Sequence, residues 1–171
     1  MAAVATRLAS LSGFDPALDA LRLEAAASGF LFLDRLVSEW RSGTNRFEQP
    51  GEVLVGAYVN DVLAGVGGLN CDPYEPNASI GRVRHLYVAA SFRRQGIGSD
   101  LLEAIIGHAS NFYQAVRLRT DTKTAGEFYL RHGFSAVDHI WATHVKQMKA
   151  GRAPSIQAAV GHNLARPSLS S

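Results

Sequence analysis

The first apolar pattern along the chain has the period of a helix. In the segment PALDALRLEAAA, apolar residues recur three and four positions apart, after an Asp-Pro pair that suits a helix start. The segment FLFLDRLVSEW repeats this spacing, and RSGT ends it. Both patterns predict a helix with one buried face. The apolar positions are Leu18, Leu21 and Ala25 in the first helix and Leu33, Leu36, Val37 and Trp40 in the second.

After residue 52 the pattern changes to one that favours strands. Two runs rich in β-branched residues, EVLVGAYV and VLAGVGGL, flank Asn60 and Asp61 and predict a β-hairpin with a two-residue turn. The segment CDPYEPN is predicted as a loop, because its prolines do not suit a central strand. IGRVRHLYV is the third predicted strand. Its alternation places His85 and Tyr87 on one face and Leu86 and Val88 on the other.

The second half of the chain alternates between helix and strand signals. An apolar stripe in SDLLEAIIGHA predicts a helix packed on a sheet. AVRLRT follows as a strand and AGEFYLRH as a short helix, with Thr124 and Glu127 spaced as a capping box and Gly133 as the stop. SAVDHIWATHVKQM is predicted to form one or two closing strands.

This order of elements predicts an α/β chain with a mixed sheet. The hairpin gives antiparallel pairing, and the strand-helix-strand crossover over residues 82–120 gives a parallel pair. We predict a single domain over residues 1–149. Residues 150–171 are rich in Ala, Gly, Pro and Ser without a period, and we predict a flexible C-terminal tail.

Composition and charge limit the functions open to the chain. Its 171 residues, 47% of them hydrophobic, suffice for one buried core. A net charge of +2 without a long basic run argues against nucleic acid binding. No apolar run approaches the roughly 20 residues that span a bilayer, so we expect a cytoplasmic protein without membrane contact. Cys71 is the only cysteine, which excludes an intrachain disulfide and a cysteine-based zinc cluster.

The segment RRQGIGSD, residues 93–100, places two glycines directly before a predicted helix. The first N–H groups of a helix lack intrahelical partners, and glycines let the backbone approach an anion, so this turn is a candidate phosphate site. It lacks the Lys-Ser/Thr pair of a P-loop and the third glycine of a dinucleotide fold. Two interpretations remain: a plain strand-to-helix turn, or the pyrophosphate loop of an acyl-CoA transferase.

Two further blocks favour the acyl-CoA interpretation. HLYVAASFRRQGIGSDLLEAI resembles the CoA-binding strand, loop and helix of the GNAT superfamily of acetyl-CoA-dependent N-acetyltransferases, and TAGEFYLRHGF resembles its later helix and Gly-Phe turn. The resemblance covers residues 50–148. It implies an α/β (α+β) fold with a mixed, mostly antiparallel central sheet and helices on both faces. It also implies acetyl-CoA as co-substrate, no metal, and direct attack by a primary amine.

By this resemblance, backbone groups of Leu86, Tyr87 and Val88 pair with the pantetheine arm, and one N–H faces the thioester oxygen. Thr122 stands where relatives often carry an asparagine, and its hydroxyl is expected either to cap the helix or to bond CoA. Phe128 is expected both to contact CoA and to be the better core candidate of its helix. The other expected CoA contacts are Arg93, Arg94, Gln95, Gly96, Ile97, Gly98 and Ser99.

Tyr129 occupies the position of the family's tyrosine and is expected to protonate the leaving thiolate; the alternative is a core aromatic residue. His85 is the candidate general base, because a histidine pKa of about 6.5 suits that role, with a structural histidine as the alternative. His144 is a further candidate for the acceptor site. His139 and His144 are predicted to face opposite sides of one strand, which argues against a metal pair.

The acceptor is expected to be a small-molecule amine, because the sequence shows no extended acidic or aromatic peptide groove. By the family arrangement, Glu48, Asp72 and Glu75 lie near the acceptor mouth, either as ammonium contacts or as solvated loop acids. We expect a monomer or a homodimer. A non-catalytic acyl-CoA-binding or sensory domain is the alternative function.

Overall fold

A seven-stranded sheet with helices on both faces forms the described part of the chain, residues 5–149, in a computed structural model. The predicted tail, residues 150–171, lies outside the described residues. The strands are β1 (Arg7–Ser10), β2 (Val53–Val59), β3 (Val62–Cys71), β4 (Ile80–Val88), β5 (Ala115–Leu118), β6 (Ser135–His139) and β7 (Ala142–Gln147). The helices are α1 (Ala17–Ala27), α2 (Phe32–Ser42), α3 (Ile97–Ala109) and α4 (Lys123–Arg131).

The strands lie in the order β1-β2-β3-β4-β5-β7-β6. Neighbouring strands are antiparallel except β4 and β5, which are parallel. The buried stripe of α3 packs on one face of the sheet, and the predicted stripes of α1 and α2 are buried on the other. The mixed, mostly antiparallel sheet with helices on both faces is therefore confirmed.

The hairpin turn is confirmed in detail. Asn60 and Asp61 have φ values of 48° and 62°, as both central residues of a type I′ turn require. The start of the chain differs from the prediction, because β1 precedes the first helix and pairs with β2. Its four residues are too few to show a strand pattern.

Two predictions for the second half of the chain are wrong. Helix α4 begins at Lys123, and the Oγ1 atom of Thr122 accepts the Ala125 N–H at 3.3 Å. The Thr124–Glu127 capping box is therefore wrong, and the capping alternative for Thr122 is confirmed. Residues 135–147 form two strands, so His139 and His144 lie on β6 and β7 rather than on one strand.

The parallel pair β4 and β5 is hydrogen-bonded over three residue pairs only. These pairs are Ile80 with Ala115, Gly81 with Val116, and Arg82 with Arg117. Beyond Arg82, β4 continues to Val88 without pairing to β5, so the two strands separate and leave a cleft.

The buried Asp72 carboxylate bridges β4 and β5 at the point where they separate. Only 2% of Asp72 is exposed, and its carboxylate accepts hydrogen bonds from Arg117 Nε at 2.5 Å and Nη2 at 3.1 Å, and from Arg82 Nη1 at 3.2 Å. Burial raises the pKa of Asp72, but hydrogen bonds from Arg117 and the Tyr74 N–H outweigh burial and hold this pKa below its usual range. Asp72 is thus neither a solvated loop acid nor a free ammonium contact, and both alternatives for it are wrong.

The Asp72→Asn substitution should lower the free energy of unfolding by about 3–5 kcal/mol at pH 7, because two buried guanidinium groups lose their carboxylate. Urea denaturation followed by circular dichroism measures this change. The folded-state pKa of Asp72 is lowered, so its contribution is complete above the unfolded pKa of about 3.9 and is lost as the pH falls through the folded-state value. The difference between variant and wild type should therefore shrink in acid.

The exposed turn residue Asp61 provides the matched control, and Asp61→Asn should change the free energy of unfolding by less than about 0.5 kcal/mol. If Asp72→Asn and Asp61→Asn had equal effects at pH 7, the bridge between β4 and β5 would not contribute to stability.

Candidate active site

A cavity of about 950 Å³ lies where β4 and β5 separate. It extends from the turn before α3, past the end of β4 and the start of α4, to side chains of α2 and of the β3–β4 loop. The cavity wall brings together Tyr129, His85 and every predicted CoA contact except Gln95, whose side chain donates to the Ser91 carbonyl. These residues are His85, Leu86, Tyr87, Val88, Arg93, Arg94, Gly96, Ile97, Gly98, Ser99, Thr122, Phe128 and Tyr129.

The turn before α3 presents bare backbone to the cavity. Gly96 has a φ of 82°, which favours glycine, and its carbonyl accepts the first helical hydrogen bond, from the Asp100 N–H at 3.0 Å. The N–H groups of residues 97–99 precede that bond and have no intrahelical acceptor. A Cβ atom on Gly98 would lie 3.7 Å from Phe128 and from Val88, an ordinary contact distance. Packing within residues 5–149 therefore does not require a glycine at position 98.

Arg93 is held by the end of β4. Its Nε atom donates to the Val88 carbonyl at 3.0 Å, and Nη2 donates to the Tyr87 hydroxyl at 3.3 Å. The Tyr87 hydroxyl in turn donates to Glu24 of α1 at 2.5 Å. Burial, together with Glu24, raises the pKa of Tyr87 to about 12. These contacts fix the end of β4 beside the cavity.

Tyr129 lies in the cavity wall with its ring in the core. It is 8% exposed, its ring lies 5.5 Å from that of Phe134, and its hydroxyl forms no hydrogen bond with residues 5–149. Burial raises the pKa of the Tyr129 phenol above its usual value, so the phenol is protonated at neutral pH. Phe128 is only half-buried, so the prediction that it is the better core residue of α4 is wrong.

His85 lies at a β-bulge of β4. The register with β3 shifts between the pairs Gly68–Arg84 and Val66–Tyr87, and His85 has a φ of 59°. Its ring and that of Tyr87 both lie near Phe32, which confirms that the two residues share a face.

The His85 side chain is buried without a clear polar partner. Neither ring nitrogen forms a hydrogen bond of good geometry within the described residues. Burial, together with the Arg84 guanidinium, lowers the pKa of His85 to about 3, although the nearby Phe32 backbone partly opposes this shift. The imidazole is therefore neutral at physiological pH.

Two other histidines have structural positions. His132, which the sequence patterns do not single out, joins the helices beside the cavity: Nε2 lies 3.0 Å from Ser99 Oγ and Nδ1 lies 2.8 Å from the Phe128 carbonyl. His144 lies under α4 near Gly126 and does not line the cavity. The prediction that it reaches the acceptor site is therefore wrong.

The cavity end near α2 is lined by arginine and aromatic side chains, which sequence patterns did not identify. They are Phe30, Phe32, Arg35, Tyr74, Arg82 and Arg84. Neither Glu48 nor Glu75 lines the cavity; Glu48 is exposed, and Glu75 lies 3.5 Å from Arg117. Within residues 5–149, no group of side chains is arranged to hold a metal ion, and no helix is long and apolar enough to cross a membrane.

Solved structures of acetyltransferases share this fold. A structure from Exiguobacterium sp. 255-15, named as an acetyltransferase, is 26% identical in sequence and has a TM-score of 0.75. The match covers 84% of this chain and 93% of that protein's chain. A GNAT family acetyltransferase from Elizabethkingia anophelis, solved with acetyl-CoA bound, is 20% identical in sequence and has a TM-score of 0.57. The match covers 84% of this chain and 98% of that protein's chain. No curated protein matches the chain.

A family model described as an acetyltransferase (GNAT) domain matches residues 27–144, which is most of the chain. The match includes β4, the glycine turn, α3 and α4, the elements that form the cavity. The chain therefore belongs to the GNAT acetyltransferase family and is an acyltransferase.

Proposed function

We propose that this protein transfers an acetyl group from acetyl-CoA to a primary amine of a small molecule, by direct attack in a ternary complex. The observation that carries this proposal is the continuity of one cavity from the α3 N-terminus, past the unpaired edge of β4, to Tyr129. Each part of this path matches one part of the reaction.

The cofactor half of the cavity suits CoA. The N–H groups of residues 97–99 and the positive end of the α3 dipole would bind the pyrophosphate, with Arg94 beside them. Beyond Arg82, the edge of β4 does not pair with β5, which supports binding of the pantetheine amides by backbone groups of residues 86–88, as an added strand would bind. The half-buried Phe128 ring and the Thr122 side chain line the opposite wall.

The chemical step forms a C–N bond and breaks a C–S bond. The neutral amine attacks the thioester carbonyl, whose oxygen becomes negative and is stabilised by a backbone N–H of β4. The thiolate then leaves and takes a proton from the Tyr129 hydroxyl, which has no acceptor within the described residues. Solvent reprotonates Tyr129 and takes the proton lost by the amine nitrogen. The products are the N-acetylated amine and CoA.

We assign His85 to contact with the acceptor amine. Its ring nitrogens are buried and lack good hydrogen bonds to residues 5–149, and the residue lies in the cavity wall. With a pKa of about 3 the ring is a weak base, so it does not take the proton of the amine nitrogen. The ring orients the amine, and that proton passes to water.

The Tyr129→Phe substitution should lower kcat by about 10²-fold or more, because the leaving thiolate loses its proton donor. The affinity for acetyl-CoA should stay the same, since the ring remains in place. Turnover is measured by release of the CoA thiol, and affinity by calorimetry. Tyr113→Phe is the matched control, because the Tyr113 hydroxyl is buried outside the cavity and has no hydrogen-bond partner among residues 5–149. A Tyr129→Phe variant as fast as Tyr113→Phe would remove Tyr129 from the acid role.

The pH profile tests the role of His85. Because the His85 pKa is about 3, kcat/KM should show no inflection near pH 6.5. It should rise with pH only as the acceptor ammonium loses its proton and becomes the neutral amine. His85→Gln should lower kcat/KM by about tenfold, the cost of one lost hydrogen bond to the amine, and leave the shape of the profile unchanged. An inflection near pH 6.5 that disappears in His85→Gln would instead identify His85 as the general base.

A further inference from the structure

The cavity end near α2 is the end away from the α3 turn proposed for CoA, so we call it the acceptor end; it carries excess positive charge. Arg35, Arg82 and Arg84 line this end, and among the described lining residues the only acid is Asp121, which follows β5. Arg82 is satisfied, since its Nη1 atom donates to Asp72 at 3.2 Å and to the Trp141 carbonyl at 2.9 Å. Arg117 shares Asp72 with Arg82 and also lies 3.5 Å from Glu75, so these two arginines are balanced by two acids. The unbalanced charge therefore belongs to Arg35 and Arg84.

Arg35 and Arg84 share one carboxylate. Glu39 Oε1 accepts from Arg35 Nε at 2.7 Å, whereas Glu39 Oε2 lies 3.8 Å from Arg84 Nη2 and has no hydrogen-bond partner within the described residues. The other polar contact of Arg84 is with Asn70 Oδ1 at 3.5 Å. Two guanidinium groups and one carboxylate leave one net positive charge.

Arg84 is the guanidinium group with unused donors. Its side chain is only 16% exposed, and a guanidinium group carries five N–H donors in a planar fork that suits a carboxylate. Both of its polar contacts within the described residues are long. Burial lowers the pKa of Arg84 and the Glu39 carboxylate only partly opposes this shift, but an arginine stays charged at neutral pH.

Aromatic rings flank this charge. Phe30 and Phe32 lie on one side with ring centroids 5.9 Å apart. At the β3–β4 loop, Tyr74 stacks on Trp141 at 4.2 Å with an angle of 4° between the ring planes, and both residues are exposed. Arg82 lies over the Tyr74 ring and holds this pair through its bond to the Trp141 carbonyl. A flat apolar group fits against these surfaces.

We propose that the acceptor is a primary amine that also carries a carboxylate and a flat apolar group, as an aromatic amino acid does, and that Arg84 binds its carboxylate. This inference rests on the proposed acetyl transfer. The charge of Arg84 disfavours an acceptor with further ammonium groups, such as a polyamine. The same charge lowers the pKa of the acceptor ammonium and so favours the neutral amine that attacks.

The test compares three acceptors that differ only at the carboxylate: phenylalanine, phenylalaninamide and phenethylamine. With wild-type protein and acetyl-CoA, kcat/KM from CoA thiol release should be at least about tenfold higher for phenylalanine than for the other two, as a charge-assisted hydrogen bond implies. Arg84→Gln should remove this preference by raising the KM for phenylalanine, with little change in kcat. Arg41→Gln, at an exposed residue outside the cavity, is the matched control and should keep the preference.

A binding experiment separates failure of this inference from failure of the proposed function. The acetylated products N-acetylphenylalanine and N-acetylphenethylamine are titrated into CoA-loaded wild type and Arg84→Gln by calorimetry. Tighter binding of N-acetylphenylalanine, by about tenfold and only with Arg84 present, supports the carboxylate site even if no amine is acetylated. Equal binding of the two products to wild type, or equal kcat/KM for the three amines, overturns the inference and leaves acetyl transfer itself intact.

Discussion

The Asp72 carboxylate, buried between two arginines, is the interaction on which the site depends. Arg82 and Arg117 are opposite each other in the last pair of the β4–β5 ladder, so one carboxylate bonds to both at the point where the strands part, and Glu75 lies 3.5 Å from Arg117 as a second negative charge. Removal of the carboxylate, or of both guanidinium groups, would leave an uncompensated buried charge. The separation of the strands creates the cavity, and Arg82 also holds Trp141 and Tyr74 at its acceptor end. One ion cluster therefore positions both the cleft and its mouth.

The cavity joins parts of the fold that differ in chemistry. At one end, the α3 N-terminus offers backbone N–H groups and a positive dipole, and His132 ties this end to α4. In the middle, burial keeps the Tyr129 phenol protonated and the His85 ring neutral. At the other end, Arg84 lies partly buried, 3.8 Å from a Glu39 carboxylate that it shares with Arg35. The proposed reaction uses the first environment to bind an anion, the second to transfer a proton and the third to recognise the acceptor.

Local sequence patterns predicted the elements, whereas contacts between distant residues were beyond them. The α2 stripe and the Asn60–Asp61 turn follow from spacing and turn chemistry over a few residues. The Asp72–Arg117 contact joins residues 45 positions apart, so a loop acid could not be recognised as a buried one. Arg84 reaches the acceptor end beside a bulge that strict strand alternation does not predict. The choice between Thr122 and Thr124 as helix cap also depended on backbone geometry.

The central claim is that bare backbone at the α3 N-terminus binds CoA, and a calorimetric titration of acetyl-CoA into wild type and Gly98→Ala tests it most directly. Among the described residues, a Cβ atom at position 98 meets nothing closer than 3.7 Å, and alanine favours a helix, so folding stability should be unchanged or higher by up to about 1 kcal/mol. The affinity for acetyl-CoA should nevertheless fall by about tenfold, because the methyl group keeps the pyrophosphate from the N–H groups. Wild-type affinity in Gly98→Ala would contradict the account.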